Sequence, residues 1–597
     1  MQHQNPNRRL LPWIAVAGAL LTVQSPLIAE ARGCSSSQFI PASFEGTIRP
    51  SQAIDINPDP NIVEVELTAF ESQWPMQKGP STAVYTYNGV IPGPTIEAEV
   101  GNRLIVHFCN QLPVETTVHW HGVETPANMD GSDMAQLKVP PGGTFRYEFS
   151  LLEAGTFWFH PHVRTNRQVE RGLYGVLVVR DPEEDSTLGL PIRNHDHILV
   201  FDDILLDSEN QIVEPFAGDR TGIALEQLNG REGDIHLLNG VQRPTLTLER
   251  RVPHRLRMLN AASSRFLRIS VPEHLMWRIG GDQGLLEEPI RIVPVVELAT
   301  PDSNPAAKHG PTTLPRSGLL LTPGERADVL IFPREDTGRP VQIEWHDWQR
   351  GRHSVDFLDD ETVVVAHNIP DGTLPMEVLA DIDLVGRSTD DFYAPPSELA
   401  TLEPLTLQGA PVLPLVFGHT PPDWHTGAVT FFAQAPGKPF PALTPSDVYT
   451  LEPNRTYVWE VRNLTGSHHN FHTHGFSFQH FQTELVDLDD PSNNQIIPED
   501  FIEDKDTILL VRRPGTVPGR SWSITRLVFR TDDTGREGQI FAHGKVPTAT
   551  TSGGWLLHCH ILEHSARGMM SFFQIDGPIL ADGFESGDTS GWDHSLP

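Results

Sequence analysis

The sequence predicts an all-β chain of three consecutive domains that share one antiparallel sandwich or Greek-key barrel fold. Three observations carry this reading. A short motif recurs three times, apolar residues alternate within it, and 48 glycines and 52 prolines punctuate the chain as many short strands require. The motif runs from Thr95-Ile-Glu-Ala-Glu99 to Asn110, from Thr245-Leu-Thr-Leu-Glu249 to Asn260, and from Val448-Tyr-Thr-Leu-Glu452 to Asn463. In each copy a glutamate precedes an asparagine by 11 residues. Between them lie runs such as Leu104-Ile-Val-His-Phe108 and Thr456-Tyr-Val-Trp-Glu-Val461, whose two-residue period is that of a strand. The copies lie 150 and 203 residues apart, so each unit is domain-sized.

The 597 residues suit about three or four domains. The expected bounds are 55–182, 195–370 and 400–577, with polar, proline-rich linkers over 181–194 and 371–404 and a flexible tail over 578–597. Residues 1–31 read as a secretory signal: Arg8 and Arg9, an apolar run from Leu10 to Ile28, then Ala29-Glu30-Ala31. Pro12, Gln24 and Pro26 speak against a membrane anchor. The paired arginines are compatible with twin-arginine export, and the expected location is periplasmic or extracellular. A formal charge of −33 excludes nucleic acid and anionic lipid as partners, since both need basic patches. Cys34 and Cys109 can pair in an oxidising compartment, two unpaired thiols being the alternative.

Four histidine pairs dominate the chemistry: His119-Trp-His121, His160-Pro-His162, His472-Thr-His474 and His558-Cys-His560. In a strand, residues i and i+2 face one side, so each pair offers two imidazoles to one point. Neutral imidazole suits copper, zinc, iron and nickel. The repeat shows where such ligands are missing. Nine and eleven residues after the asparagine stand His119 and His121 in the first unit and His472 and His474 in the third, but Ile269 and Val271 in the second. Likewise a glycine precedes a histidine by five residues at Gly155/His160 and Gly553/His558. Eight histidines exceed one metal's need and fit a cluster of three ions between the first and third units, with the second unit a spacer of the same fold.

Alternation sends the thiol of Cys559 to the side opposite His558 and His560. Its candidate partners are His469, His564 and Met569, with His468 the competing register for His469. One cysteine, two histidines and a distant thioether describe a trigonal blue-copper electron-transfer site; zinc takes four firm ligands and would not need the methionine. An electron arriving at Cys559 has a short covalent path to His558 and His560, so these three residues are the candidate transfer route.

These motifs resemble those of the three-domain multicopper oxidases, a group that includes laccases, spore-coat laccases, bilirubin oxidase and cuprous oxidases. The likeness rests on His119-Trp-His-Gly122, His160-Pro-His162, His469-Asn-Phe-His-Thr-His-Gly475 and His558-Cys-His-Ile-Leu-Glu-His564 with Gly568-Met569. It extends to Leu238-Asn-Gly240, Arg255–Asn260 and Pro323-Gly-Glu-Arg-Ala-Asp328 of the second unit, and spans about residues 60 to 577. The resemblance implies cupredoxin-like domains and four copper ions. Type 1 copper would take His469, Cys559 and His564 with Met569 axial. Type 2 would take His119 and His472, and the type 3 pair His121, His160, His162, His474, His558 and His560. An axial methionine implies a low-to-middle redox potential.

Reduction of O₂ consumes protons, so an acid near the cluster is expected. Asp130, in Met129-Asp-Gly131, matches the family's acid after the first motif; a turn aspartate is the other reading. The family's second acid falls here on Leu562 or Ser565, and Glu563 is adjacent but out of register. The expected function is laccase-like: one-electron oxidation of phenols or aromatic amines coupled to reduction of O₂ to water, by a monomer with a small reducing substrate. A cuprous oxidase is the alternative, weakened by the methionine content: nine in all, with only Met376 between Leu330 and Leu556. A non-catalytic copper protein is a remote third reading, because no ligand has been lost.

Overall fold

The computed structural model describes residues 39–40, 50–77, 79–133, 135–190, 195–213, 230–272, 274–292, 318–333, 341–347, 376–386, 393–419, 431–434, 449–499, 501–513, 520–531 and 554–575. The expected signal (1–31), Cys34, the tail (578–597) and residues 532–553 lie outside the described residues. Among the described residues no helix is long and apolar enough to cross a membrane.

Among the described residues, strands form six sheets that fall into three pairs along the chain. In the first unit, Thr82–Tyr87, Ile62–Trp74, Arg103–Asn110 and Thr144–Ser150 lie side by side. Its second sheet orders Gln52–Ala53, Gly93–Glu99, Gly175–Arg180, Gly155–His160 and His119–His121. The other units repeat the plan. Each has its own apolar core: one around Leu104, Phe108 and Trp120, one around Leu256, Ile269 and Trp345, and one around Trp459, Phe471 and Phe573. Ile269 and Val271 are buried in the second core, where the other units carry histidines.

The sheets are mixed rather than purely antiparallel. Ile62–Trp74 runs parallel to Arg103–Asn110, Asp196–Ile204 to His254–Asn260, and Val412–His419 to Thr456–Asn463. The facing sheets hold the parallel pairs Gly93–Glu99 with Gly175–Arg180, Thr245–Glu249 with Met376–Val385, and Tyr449–Leu451 with Met570–Ile575. Parallel neighbours need a crossover, and here the chain crosses to the opposite sheet and returns, as in a Greek key.

The repeated asparagine ends a strand and ties two later turns to it. Asn110 Nδ2 donates to the carbonyls of Val114 (2.8 Å) and Val139 (2.9 Å) while its Oδ1 accepts from Leu112 N (3.0 Å). Asn260 binds Arg265 O, Leu321 O and Ala262 N in the same way, and Asn463 binds Ser467 O, Val511 O and Thr465 N. A buried amide that closes three backbone groups explains why this residue type recurs.

Two expectations about connections need correction. The strand Met376–Val385 lies past residue 370, yet pairs with Thr245–Glu249 and Val341–Asp347 of the second unit. The stretch read as a linker over 181–194 contains the helix Pro182–Leu188. Asp181 caps it by accepting from Glu183 N (2.8 Å), proline opens it, and Gly189 closes it with φ of 60°. Asp185 of this helix accepts from Arg255 Nη2 (2.9 Å), so the connection is fastened to the second unit. Cys109 is disulfide-bonded, whereas Cys559 is a buried thiol.

Candidate metal centre

Two strand pairs bring the histidines together in matching register. His119–His121 runs antiparallel to Gly155–His160 with His119 opposite His160. His469–Thr473 runs antiparallel to Trp555–Cys559 with His472 opposite His558. The units meet so that His119 stacks on His474 (3.8 Å between ring centres) and His121 on His472 (3.7 Å). His162 packs on His558 at 5.2 Å and His560 on His121 at 4.9 Å. Glycine follows the second histidine in two of the four motifs and takes positive φ, 88° at Gly122 and 70° at Gly475. A Cβ at Gly122 would lie 2.4 Å from Arg326 Nη2 and 2.6 Å from Asp506 Oδ2, so only glycine fits.

Most of these imidazoles are held from behind by one ring nitrogen. His119 Nδ1 donates to Asp130 O (2.7 Å), His160 Nδ1 to Pro161 O (3.0 Å), His472 Nδ1 to Asp506 O (2.9 Å) and His558 Nδ1 to Cys559 O (2.9 Å). His474 Nδ1 donates to Asp130 Oδ2 (2.9 Å) and His121 Nε2 to Asp506 Oδ1 (3.0 Å). Each bond fixes the tautomer and turns the other nitrogen's lone pair inward. Inward atoms His119 Nε2, His121 Nδ1, His160 Nε2 and His472 Nε2 have no hydrogen-bond partner among the described residues. His474 Nε2 and His558 Nε2 face one another at 3.2 Å, with His162 Nε2 3.4 Å from His558 Nε2. Lone pairs so placed cannot satisfy each other; cations among them can. Burial first, then neighbouring imidazoles, keep His121, His160, His474, His558 and His560 well below the usual histidine range, and His162 down to about 3. The rings are therefore neutral and able to bind metal.

On the opposite face of Trp555–Cys559 a second set converges. Cys559 Sγ lies 3.6 Å from both His469 Nδ1 and His564 Nδ1, which are 3.1 Å apart. Thr465 Oγ1 lies 2.7 Å from His469 Nε2 and gives its own proton to Asn463 and Ser467, so His469 Nδ1 presents a lone pair. His468 instead accepts from Arg512 N at its Nδ1 (3.3 Å), which leaves His469 as the residue facing the thiol. His564 sits on the short helix Leu562–Ala566. Met569 is fully buried, and its carbonyl accepts from Cys559 N (2.9 Å). Asn470 Oδ1 lies 3.6 Å from Cys559 Sγ while its Nδ2 donates to Pro323 O (2.6 Å), a link to the second unit.

Asp130 is fully buried between the two histidine-bearing units, bound to His119 by its carbonyl and to His474 by its side chain. Sequence reasoning missed Asp506. Although burial pushes its carboxyl up, the Arg326 guanidinium and His121 hold it well below the usual carboxylate range. Its one sequence signal is a charged run, Glu503-Asp-Lys-Asp506, set one residue before the apolar run Ile508–Val511. Leu562 and Ser565 offer no carboxylate where a second acid was sought. Burial and Glu170 push Glu563 up to about 8, and its Oε2 accepts from Arg231 N (3.3 Å).

Family models for multicopper oxidases match residues 68–184 and 417–577, the stretches that hold all the converging ligands. Laccase-2 of Cryptococcus neoformans var. grubii is 27% identical over 542 residues, 82% of this chain and 80% of that protein. The chain belongs to the multicopper oxidase family. Multicopper oxidase MmcO of Mycobacterium tuberculosis is 33% identical over 221 residues, covering 33% of this chain and 42% of its own length. A laccase structure from Pediococcus acidilactici superposes with a TM-score of 0.64 at 23% identity, covering 90% of this chain and 95% of that one. A multicopper oxidase from Campylobacter jejuni, described as a metallo-oxidase, gives 0.64 at 22%, covering 91% and 98%. The fold of this multicopper oxidase is all-β and cupredoxin-like, and the protein is a copper-dependent oxidoreductase. Its donor set fits copper: tautomer-locked neutral imidazoles in one centre, and a thiol with two imidazoles in the other.

Proposed function

We propose that this multicopper oxidase is laccase-like, taking electrons singly from phenols or aromatic amines and passing four of them to O₂ to form water. The observation that carries this is the position of Cys559. Its sulfur faces His469 and His564, while its chain neighbours His558 and His560 belong to the opposite cluster. An electron entering at the thiol side therefore reaches either imidazole through a few backbone bonds. Bound copper supplies one-electron redox chemistry that neither imidazole nor carboxylate has.

Four coppers fit the donors. His469, Cys559, His564 and Met569 would hold type 1 copper, and His119 and His472 type 2. His121, His160, His162, His474, His558 and His560 would hold the type 3 pair. The thioether favours a low-to-middle potential. Asp130 is the proton-relay residue of this reading: its Oδ2 accepts from His474 Nδ1, and its buried Oδ1 has no hydrogen-bond partner among the described residues. Export to the periplasm or outside the cell, and a monomeric state, complete the reading.

The test is metal analysis, an absorption spectrum and a substrate panel on copper-loaded protein. Strong blue absorption with turnover of phenols supports the reading. Turnover confined to Cu(I) would replace it with a cuprous oxidase, and absence of O₂ uptake with every reductant would sink it.

A further inference from the structure

The second unit has no histidine at the positions that carry ligands elsewhere, yet one of its turns reaches the cluster. Pro323-Gly-Glu-Arg326 leads into the strand Arg326–Ile331. Gly324, at φ of 86°, lies so close that a Cβ there would be 2.9 Å from His121 Cε1 and 3.2 Å from His560 Cδ2. Two residues on, the fully buried Arg326 grips Asp506 with two prongs, Nη1 to Oδ1 at 2.7 Å and Nη2 to Oδ2 at 2.5 Å. Gln283, also of the second unit, donates to Asp506 Oδ2 at 2.9 Å and to Gly122 O at 2.7 Å. Asp506 in turn touches one histidine of each histidine-bearing unit: its Oδ1 takes the His121 proton and its carbonyl the His472 proton.

From this chain of contacts we infer that Arg326 is a positioning residue for the cluster, acting through Asp506 to aim His121 and His472 inward. The inference rests on the four-copper reading above. Arg326 is itself fixed on every side. Its Nε donates to Thr156 O (2.8 Å) in the first unit, Nη1 to Gly324 O (3.1 Å) and Nη2 to Asp282 O (2.9 Å). The guanidinium thus ties all three units at one carboxylate, and its planar fork sets the carboxylate's rotation as a lysine could not. The second unit is then part of the site rather than a spacer.

The test compares copper-loaded wild type with Arg326→Lys and with the milder Gln283→Met. Readouts are blue absorbance per chain, copper per chain, and the type 2 electron-paramagnetic-resonance signal during dialysis against a chelator. Support for copper carriers of this kind typically changes affinity about 10- to 100-fold, so Arg326→Lys should lose type 2 copper that much more readily with its blue band intact. Gln283→Met should shift the same signal in the same direction by less, and it decides alone if Arg326→Lys does not fold. Unchanged type 2 line shape and chelator resistance in the folded variants would overturn the inference. So would loss of blue and type 2 signals together, which marks general disruption. A wild type without a blue band, or with fewer than four coppers, would instead refute the underlying functional reading.

Discussion

A single imidazole nitrogen decides what this site can do. His474 gives one proton to Asp130 and turns its lone pair toward that of His558. Removing the charge at Asp130 by Asp130→Asn keeps the shape but takes away the proton-accepting group. O₂ reduction should slow by about 10- to 100-fold with the blue absorption unchanged, measured by oxygen uptake and spectrum. Unaltered turnover would remove Asp130 from the proton path. A titration in the second unit belongs to His254. Burial, then His197, lower His254 to about 3 from 6.5. The unfolded chain therefore takes up this proton first as pH falls. Stability from the neutral ring is full above about 6.5 and is lost on descent toward 3, by up to about 1.4 kcal/mol per pH unit. Urea titrations should show this slope reduced in His254→Gln; an identical slope would contradict the assignment.

Among elements, the repeat was legible because it serves geometry. Asn110, Asn260 and Asn463 each close the same turn, so selection for one hydrogen-bond pattern wrote one residue at three places. Asn110→Ala would leave Val114 O and Leu112 N without their partner and Val139 O with Thr116 N alone, at a cost of about 3 kcal/mol. Denaturant unfolding checks this, and a loss under about 1 kcal/mol would mean that the turn holds without it. Parallel pairing was not legible. Alternation tells which face a residue takes, not which neighbour its strand meets, and the same pattern suits either direction. The strand Met376–Val385 was missed because it follows a polar, proline-containing stretch and was counted with it. Asp506 was missed because it has no counterpart in the repeat; its importance comes from Arg326, 180 residues away in sequence.

At the scale of the molecule, the first and third units supply ligands in matching register and the second braces them. The paired histidine motifs show this division in the sequence, because two copies carry histidine where the third carries Ile269 and Val271. What they do not show is that Gly324 and Arg326 of that third copy press against the ligands from the side. Repeat comparison detects what is kept or lost at equivalent positions, and an interface residue has no equivalent. The account stands or falls on two separate metal centres joined through Cys559. The most direct measurement is copper content with absorption and electron-paramagnetic-resonance spectra for wild type and Cys559→Ser. The account predicts four coppers and a blue band in the wild type, and three coppers without blue, type 2 signal retained, in the variant. A wild type with a single copper, or a variant that keeps its blue band, would contradict it.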